Sequence, residues 1–251
     1  MKFLARILFF SLLVSVSACS HKKIIVSNVN ETHYIINKNE IDSVTYKTIL
    51  PYKKNHDELM SKVIAQSEES FLKSEVESTI GNIFCDAVIY ETKLLLANDS
   101  SMLDVAIFNK GGLRNSLPKG NITVGNIFEL MPFDNQVVLL KLSGAQFKDM
   151  CNTIAEKGGI PVGGMRMTIK NKLAENVTVK GKIMDDTKDY WIVTSDYLAN
   201  GGDNYIFFKN AKERRSMNIL LRDMLINYCN HVTAQGKILK PYLDGRIQIS
   251  K

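Results

Sequence analysis

The chain is poor in the side chains that build metal and nucleophile centres. Its 251 residues hold four histidines, His21, His33, His56 and His231. None stands in Asp-x-His, Gly-Asn-His-Asp/Glu or Gly-His-x-His, the clustered spacings that hold a pair of metal ions. Each reads as a surface residue. No Ser-His-Asp or Cys-His pattern supplies a nucleophile. Cysteine is scarce, and no pair has CxxC spacing. With Cys19 set aside, Cys85, Cys151 and Cys229 are odd in number, which excludes a complete disulfide framework. Cys85 and Cys229 lie among apolar residues of expected helices and read as small buried hydrophobes. There is no internal repeat, low-complexity segment or Pro/Gly/Ser-rich linker. The net charge of +6 is spread among acids without a basic stripe, which argues against a nucleic-acid partner. The apolar run Ile7 to Val16 is about ten residues long, against the roughly 20 that a membrane-spanning helix needs.

What the sequence does contain is 45% hydrophobic and 23% charged residues, enough apolar chain for a buried core. Its start is a basic stretch with Lys2 and Arg6, then the short apolar run, then Val16-Ser17-Ala18-Cys19. Small residues directly before a cysteine resemble a bacterial lipobox, cleaved before Cys19, which then carries acyl chains. Such chains anchor with roughly 0.8 kcal/mol per buried methylene. The expectation is a signal peptide over residues 1–18, a polar tether over 19–23 and a folded domain over 24–251. That places the protein on the bacterial cell envelope, held to a membrane by lipid. Loss of Lys2 and Arg6 leaves +4 (6 minus 2) on the mature chain.

Periodicity predicts the elements. Residues 24–50 read as short strands around Tyr34-Ile-Ile36 and Val44-Thr-Tyr46, and a helical pattern surrounds Leu59 and Met60. Residues 77–96 read as a strong helix through Ile80, Ile83, Phe84, Ala87, Val88, Leu94 and Leu95. Residues 104–108 and 137–142 read as buried strands, and 144–156 as a helix closed by Gly158 and Gly159. Further strands are expected over 162–169, 176–179, 190–194 and, from its aromatics, 205–208. A last helix is expected over 216–229. This mixed order predicts an α+β fold, a single layered α/β domain with mixed sheets.

Three constellations could carry chemistry. Asn109-Lys-Gly-Gly-Leu-Arg114 follows a buried strand. Gly111 and Gly112 let the backbone approach a ligand, Asn109 offers a donor and an acceptor, and Arg114 a fork for phosphate or carboxylate. A strand-end turn with a surface Arg explains the same residues equally well. Met131-Pro-Phe-Asp-Asn135 holds a turn that can project Phe133, although a core Phe is the simpler reading of that segment alone. Asp196-Tyr-Leu-Ala-Asn-Gly-Gly-Asp203 must turn sharply at Gly201 and Gly202, which brings Tyr197 towards Asp203. A ring and a carboxylate suit a base and a ribose, and a tight hairpin is the alternative.

Taken together, and with Glu77-Ser-Thr-Ile-Gly-Asn82, Asp86, Leu221-Arg222-Asp223 and Asp244-Gly-Arg-Ile247, these blocks resemble the C-terminal domain of the 5'-nucleotidase / UDP-sugar hydrolase family, in the form of a standalone bacterial lipoprotein. The resemblance implies that Phe133 and Tyr197 sandwich a base, that Asp203 contacts the ribose, and that Asn109 and Arg114 face the phosphate. It departs at Val76, where many members carry an arginine, and this weakens the expected grip on phosphate. Full-length members hydrolyse with two metal ions on an N-terminal metallophosphoesterase domain, whose motifs are absent from this sequence. No catalytic residue and no cofactor are therefore expected in this chain, and divalent metals only on a partner subunit. Three readings follow from the resemblance: the substrate-recognition half of a 5'-nucleotidase completed by a separately encoded metallophosphoesterase, a non-catalytic nucleoside-capturing lipoprotein, and an envelope scaffold.

Overall fold

The computed structural model describes residues 42–250. The signal segment, Cys19, the tether and the strands expected around residues 34–36 lie outside the described residues. The chain divides into two compact units, Met1–Thr48 and Ile49–Lys251, and of the first only residues 42–48 are described. Helix α1 (Ser43–Ser61) includes Val44-Thr-Tyr46, where a strand was expected, and buries none of its side chains. Asp42 starts it by accepting from the Val44 and Thr45 amides, an N-cap signal that β-branched composition outweighed in the sequence reading.

Within the second unit, strand β1 (Val63–Ser67) pairs with β3 (Gly120–Thr123). Helix α2 (Thr79–Leu96) is capped by Ser78, which accepts from the Gly81 amide. It buries Ile80, Ile83, Phe84, Ala87 and Val88 but leaves Leu94 and Leu95 half exposed, so the apolar face expected from periodicity ends a turn early. Strand β2 (Leu103–Ile107) follows. Helix α3 (Val124–Leu130), with a Thr123/Asn126 capping box, leads to β4 (Gln136–Ser143) and α4 (Gly144–Glu156), itself boxed by Ser143 and Gln146. The single strand expected over 162–169 is two strands, β5 (Val162–Gly163) and β6 (Met165–Lys170), in different sheets. Gly164 divides them, because its φ of +76° and a backbone oxygen, that of Asp104, leave no room for a Cβ.

Strands β7 (Leu173–Val179), β8 (Lys182–Ile183) and β9 (Asp189–Ser195) come next, then the one-turn helix α5 (Asp196–Ala199). The expected strand at 205–208 is instead a short 3-10 helix, Ile206–Asn210. Its aromatics pack on each other, Tyr205 stacking on Phe208 at 5.2 Å, and this local cluster overrides their β preference. Strand β10 (Glu213–Leu220) occupies the start of the expected last helix, and α6 (Leu221–Ala234) the rest. Strand β11 (Ile247–Ile249) ends the described chain.

A five-stranded mixed sheet, ordered β10-β4-β9-β2-β5, is the central layer. Alternate residues feed opposite cores, as the two-residue period of a strand requires. Val137, Leu139 and Val193 join the core with α2, α3 and α6, whereas Val138, Leu140 and Ile192 join the core with α4 and the second sheet. That second sheet has the order β11-β6-β7-β8. The fold is α+β with mixed sheets, as the sequence pattern predicts. Cys85, Cys151 and Cys229 are free and buried. Burial pushes the Cys151 and Cys229 thiols up to about 12.

Candidate functional site

Strands β2 and β9 run parallel, and β4 runs antiparallel to β9. The segments leaving β2 and β9 and the segment entering β4 therefore emerge at one end of the sheet. Those are the segments that carry the three sequence constellations. Asn109, Gly111, Gly112, Arg114, Phe133, Asn135, Tyr197 and Asp203 line one cavity of about 370 Å³ there, a size that suits a small-molecule ligand.

After β2 the chain turns through Lys110–Gly112, with the Gly112 amide donating to the Asn109 carbonyl at 3.2 Å. A Cβ on Gly112 would come within 2.9 Å of the Asn109 side-chain oxygen. The glycine thus leaves Asn109's amide free to face the cavity. Arg114 lies over the Phe133 ring, 5.7 Å from its centroid. It donates to the Gly111 carbonyl at 3.4 Å and has no carboxylate partner among the described residues, so the rest of its fork remains available. Phe133 is 46% exposed and is not core, although core was the simpler reading of its segment.

The loop that presents Phe133 is held from behind. Arg222 donates to the Met131 carbonyl at 3.2 Å and to Asp134 at 2.7 Å, and packs on Phe128 at 4.1 Å. The Leu221 amide donates to the Asn135 carbonyl. Asp196 ties two constellations together, accepting from the Gln136 and Tyr197 amides. Asn135, Asp196 and Arg222 all fall in blocks that carry the family resemblance, but the sequence gives none of them a role. Nothing near Arg222 in the sequence signals a partner some 88 positions away.

Tyr197 is 45% exposed, and its hydroxyl donates to Asp203 at 2.9 Å. That hydrogen bond, followed by the Asp203 charge, raises the Tyr197 pKa, so the hydroxyl stays a donor through the neutral range. Gly201 turns the chain with a φ of +88°, and Asp203 follows with a φ of +51°. Gly202 is closer still to the site, since a Cβ there would meet three Tyr197 ring atoms at 2.5–2.7 Å. Neither glycine lines the cavity; both shape the turn that does.

Two exposed rings, one guanidinium without a carboxylate partner, a carboxylate and two carboxamides thus surround one space. Chemically this can stack a flat ring and hydrogen-bond polar substituents around it. Elsewhere, His56 is exposed beside Asp57, whereas His231 is half-buried with Nδ1 2.7 Å from the buried Glu91. His231 thus stays partly at the surface while its ring meets a buried carboxylate. Among the described residues no three His, Cys, Asp or Glu side chains converge as metal ligands. They do not fit a two-metal centre, and no hydrolytic step is assigned to them. No helix among them is long and apolar enough to cross a membrane.

Comparison with known proteins decides the family. The sequence profile described as "5'-nucleotidase, C-terminal domain" matches residues 63–210. The chain belongs to the 5'-nucleotidase C-terminal domain family. Among curated relatives of the family, the trifunctional nucleotide phosphoesterase protein YfkN of Bacillus subtilis is 26% identical over 227 residues, covering 84% of this chain and 15% of that protein. The 5'-nucleotidase of Vibrio cholerae is 25% identical over 242 residues, covering 91% of this chain and 39% of that one. The structure of a 5'-nucleotidase precursor from Thermus thermophilus superposes with a TM-score of 0.69 at 25% identity, over 82% of this chain and 43% of that chain. The chain spans less than half the length of the curated relatives it matches. The family's matched span includes every residue of the cavity.

Proposed function

We propose that this chain binds a nucleoside or nucleotide as the substrate-recognition half of a 5'-nucleotidase, with hydrolysis supplied by a metallophosphoesterase on another polypeptide. The observation that carries the reading is the convergence of Asn109, Arg114, Phe133, Tyr197 and Asp203, from three distant segments, on one cavity. Phe133 and Tyr197 stack the base, Asp203 accepts from the ribose hydroxyls, and Asn109 and Arg114 face the phosphate. Divalent metals belong to the partner. The lipobox-like start at Cys19 adds a lipid anchor and a place on the bacterial envelope. Nucleoside capture without hydrolysis is the second reading, favoured by Val76, which supplies no cation on the phosphate side.

Calorimetry with adenosine and AMP tests the pocket, and mixing with candidate metallophosphoesterase chains tests the partner. The expected result is AMP binding that Phe133→Ala and Tyr197→Ala each weaken about 5- to 150-fold, together with AMP hydrolysis only in a mixture. Binding without hydrolysis in any mixture selects nucleoside capture. Absence of binding, unchanged by either substitution, leaves the scaffold reading.

A further inference from the structure

A second cavity, of about 600 Å³, shares no residue with the first. Helix α2 contributes Tyr90 and Lys93, α6 contributes Tyr228, and the ends of β6 and β7 contribute Arg166 and Lys180. Its floor is the clasp formed by two blocks far apart in sequence. The buried Arg246 guanidinium donates to both oxygens of Asp86 at 3.0 and 3.1 Å, to Asp244 at 2.9 Å and to the Val162 carbonyl at 3.0 Å. The Tyr242 hydroxyl donates to the same Asp86 carboxylate. Every Arg246 nitrogen is thereby committed, and the floor is structural.

The groups left uncommitted point to what the cavity takes. Lys93 has no hydrogen-bond or ion-pair partner among the described residues, and neither do the hydroxyls of Tyr90 and Tyr228. Lys93 follows Tyr90 by three positions, on the same face of α2. The Tyr90 and Tyr228 rings meet edge to face at 5.5 Å, so they form one continuous wall. Burial is the main cause that raises the Tyr228 pKa, which keeps its hydroxyl a donor. Arg166 and Lys180 already pair with Asp244 and Asp104, at 3.0 and 2.8 Å. They add positive field at the rim more than free bonds. One ammonium and two phenol donors beside flat, partly apolar walls suit an anion carried on a planar body.

We infer that this cleft is a separate binding site for a small aromatic anion, with Lys93 and the Tyr90 and Tyr228 hydroxyls holding the anionic group and the tyrosine rings holding the planar body. Phenyl phosphate and benzoate are the probes, with phenol as the neutral control, followed by amide chemical shifts of the full chain. Saturable shifts at Tyr90, Lys93, Gly164 and Gly181 are expected with both anions and not with phenol. Lys93→Glu should weaken both more than tenfold, because it removes one charge-assisted hydrogen bond, itself worth roughly tenfold, and sets a carboxylate against the anion. Tyr228→Phe should weaken them less, and Tyr197→Ala should leave them unchanged. Adenosine binding at the first cavity should be unaffected by Lys93→Glu, so failure of one site is distinguishable from failure of the other. Shifts confined to Gly111, Gly112 and Gly202, equal binding of phenol, or an affinity that Lys93→Glu does not change would each overturn the inference.

Discussion

Replacing Gly202 by alanine should remove most of the ligand affinity while leaving the fold nearly as stable. The added methyl carbon would lie 2.5, 2.6 and 2.7 Å from three ring atoms of Tyr197. Carbon atoms in good contact sit about 3.5–4.0 Å apart, so the ring must move by roughly 1 Å or more. Gly202 does not have a positive φ, so its backbone accepts alanine without strain. Tyr197 is 45% exposed, so its ring can swing into solvent at little cost to folding. The swing breaks the hydrogen bond to Asp203 and turns the ring face away from the cavity. A lost base–aromatic stack is worth about 1–3 kcal/mol, or about 5- to 150-fold in affinity. Tyr197→Phe keeps the ring and loses only the hydroxyl contact, about 0.5–1.5 kcal/mol, so it should cost about 2- to 12-fold. Calorimetry with adenosine, alongside thermal melts, reads both quantities. The expected order of affinity is wild type, Tyr197→Phe, then Gly202→Ala close to Tyr197→Ala. Wild-type affinity in Gly202→Ala, or an affinity loss matched by unfolding, would refute the reasoning.

Three further outcomes follow from the geometry. Arg222→Ala should lower unfolding free energy in urea by about 1–3 kcal/mol, because it leaves the Met131 carbonyl unpaired behind the Phe133 loop; the upper values for a broken buried pair do not apply, since Asp134 is 77% exposed. In a Cys19→Ser chain, Ellman's reagent at pH 8 should find no reactive thiol in the native protein and three after unfolding. With pKa values near 12, the thiolates of Cys151 and Cys229 amount to on the order of one part in ten thousand at that pH. Asp203→Ala should bring the Tyr197 pKa back down towards the ordinary tyrosine value, seen by ultraviolet difference titration. The sign follows from linkage: the folded-state value is raised, so the Tyr197–Asp203 contact is complete below pH 10 and is lost as pH rises through the higher folded value.

Much of the architecture was legible because local patterns and the fold agree. Helix α4 carries its own capping box and ends at Gly158 and Gly159, so its bounds could be read directly. Strands β2, β4 and β9 are apolar on both sides because each feeds two cores, which made them visible as short runs. The failures have equally local causes. Residues 205–208 have strand composition but satisfy their rings by stacking on one another. Strand β10 alternates weakly because it is an edge strand with an exposed face, so it merged with the helix after it.

The sequence by itself determined the kinds of side chain available: flat rings at Phe133 and Tyr197, an acid at Asp203, a fork at Arg114, and glycines where the backbone must turn. It also carried the family, because those blocks are distinctive in order and spacing. Only the tertiary structure decided that they share one cavity, since this depends on β2 and β9 running parallel with β4 reversed between β9 and β10. Only the fold could recruit Arg222 behind the Phe133 loop, or join Asp86 to Arg246 across 160 positions. Such contacts have no local signature, because a buried charge is satisfied by whichever distant partner the packing of the sheets brings to it.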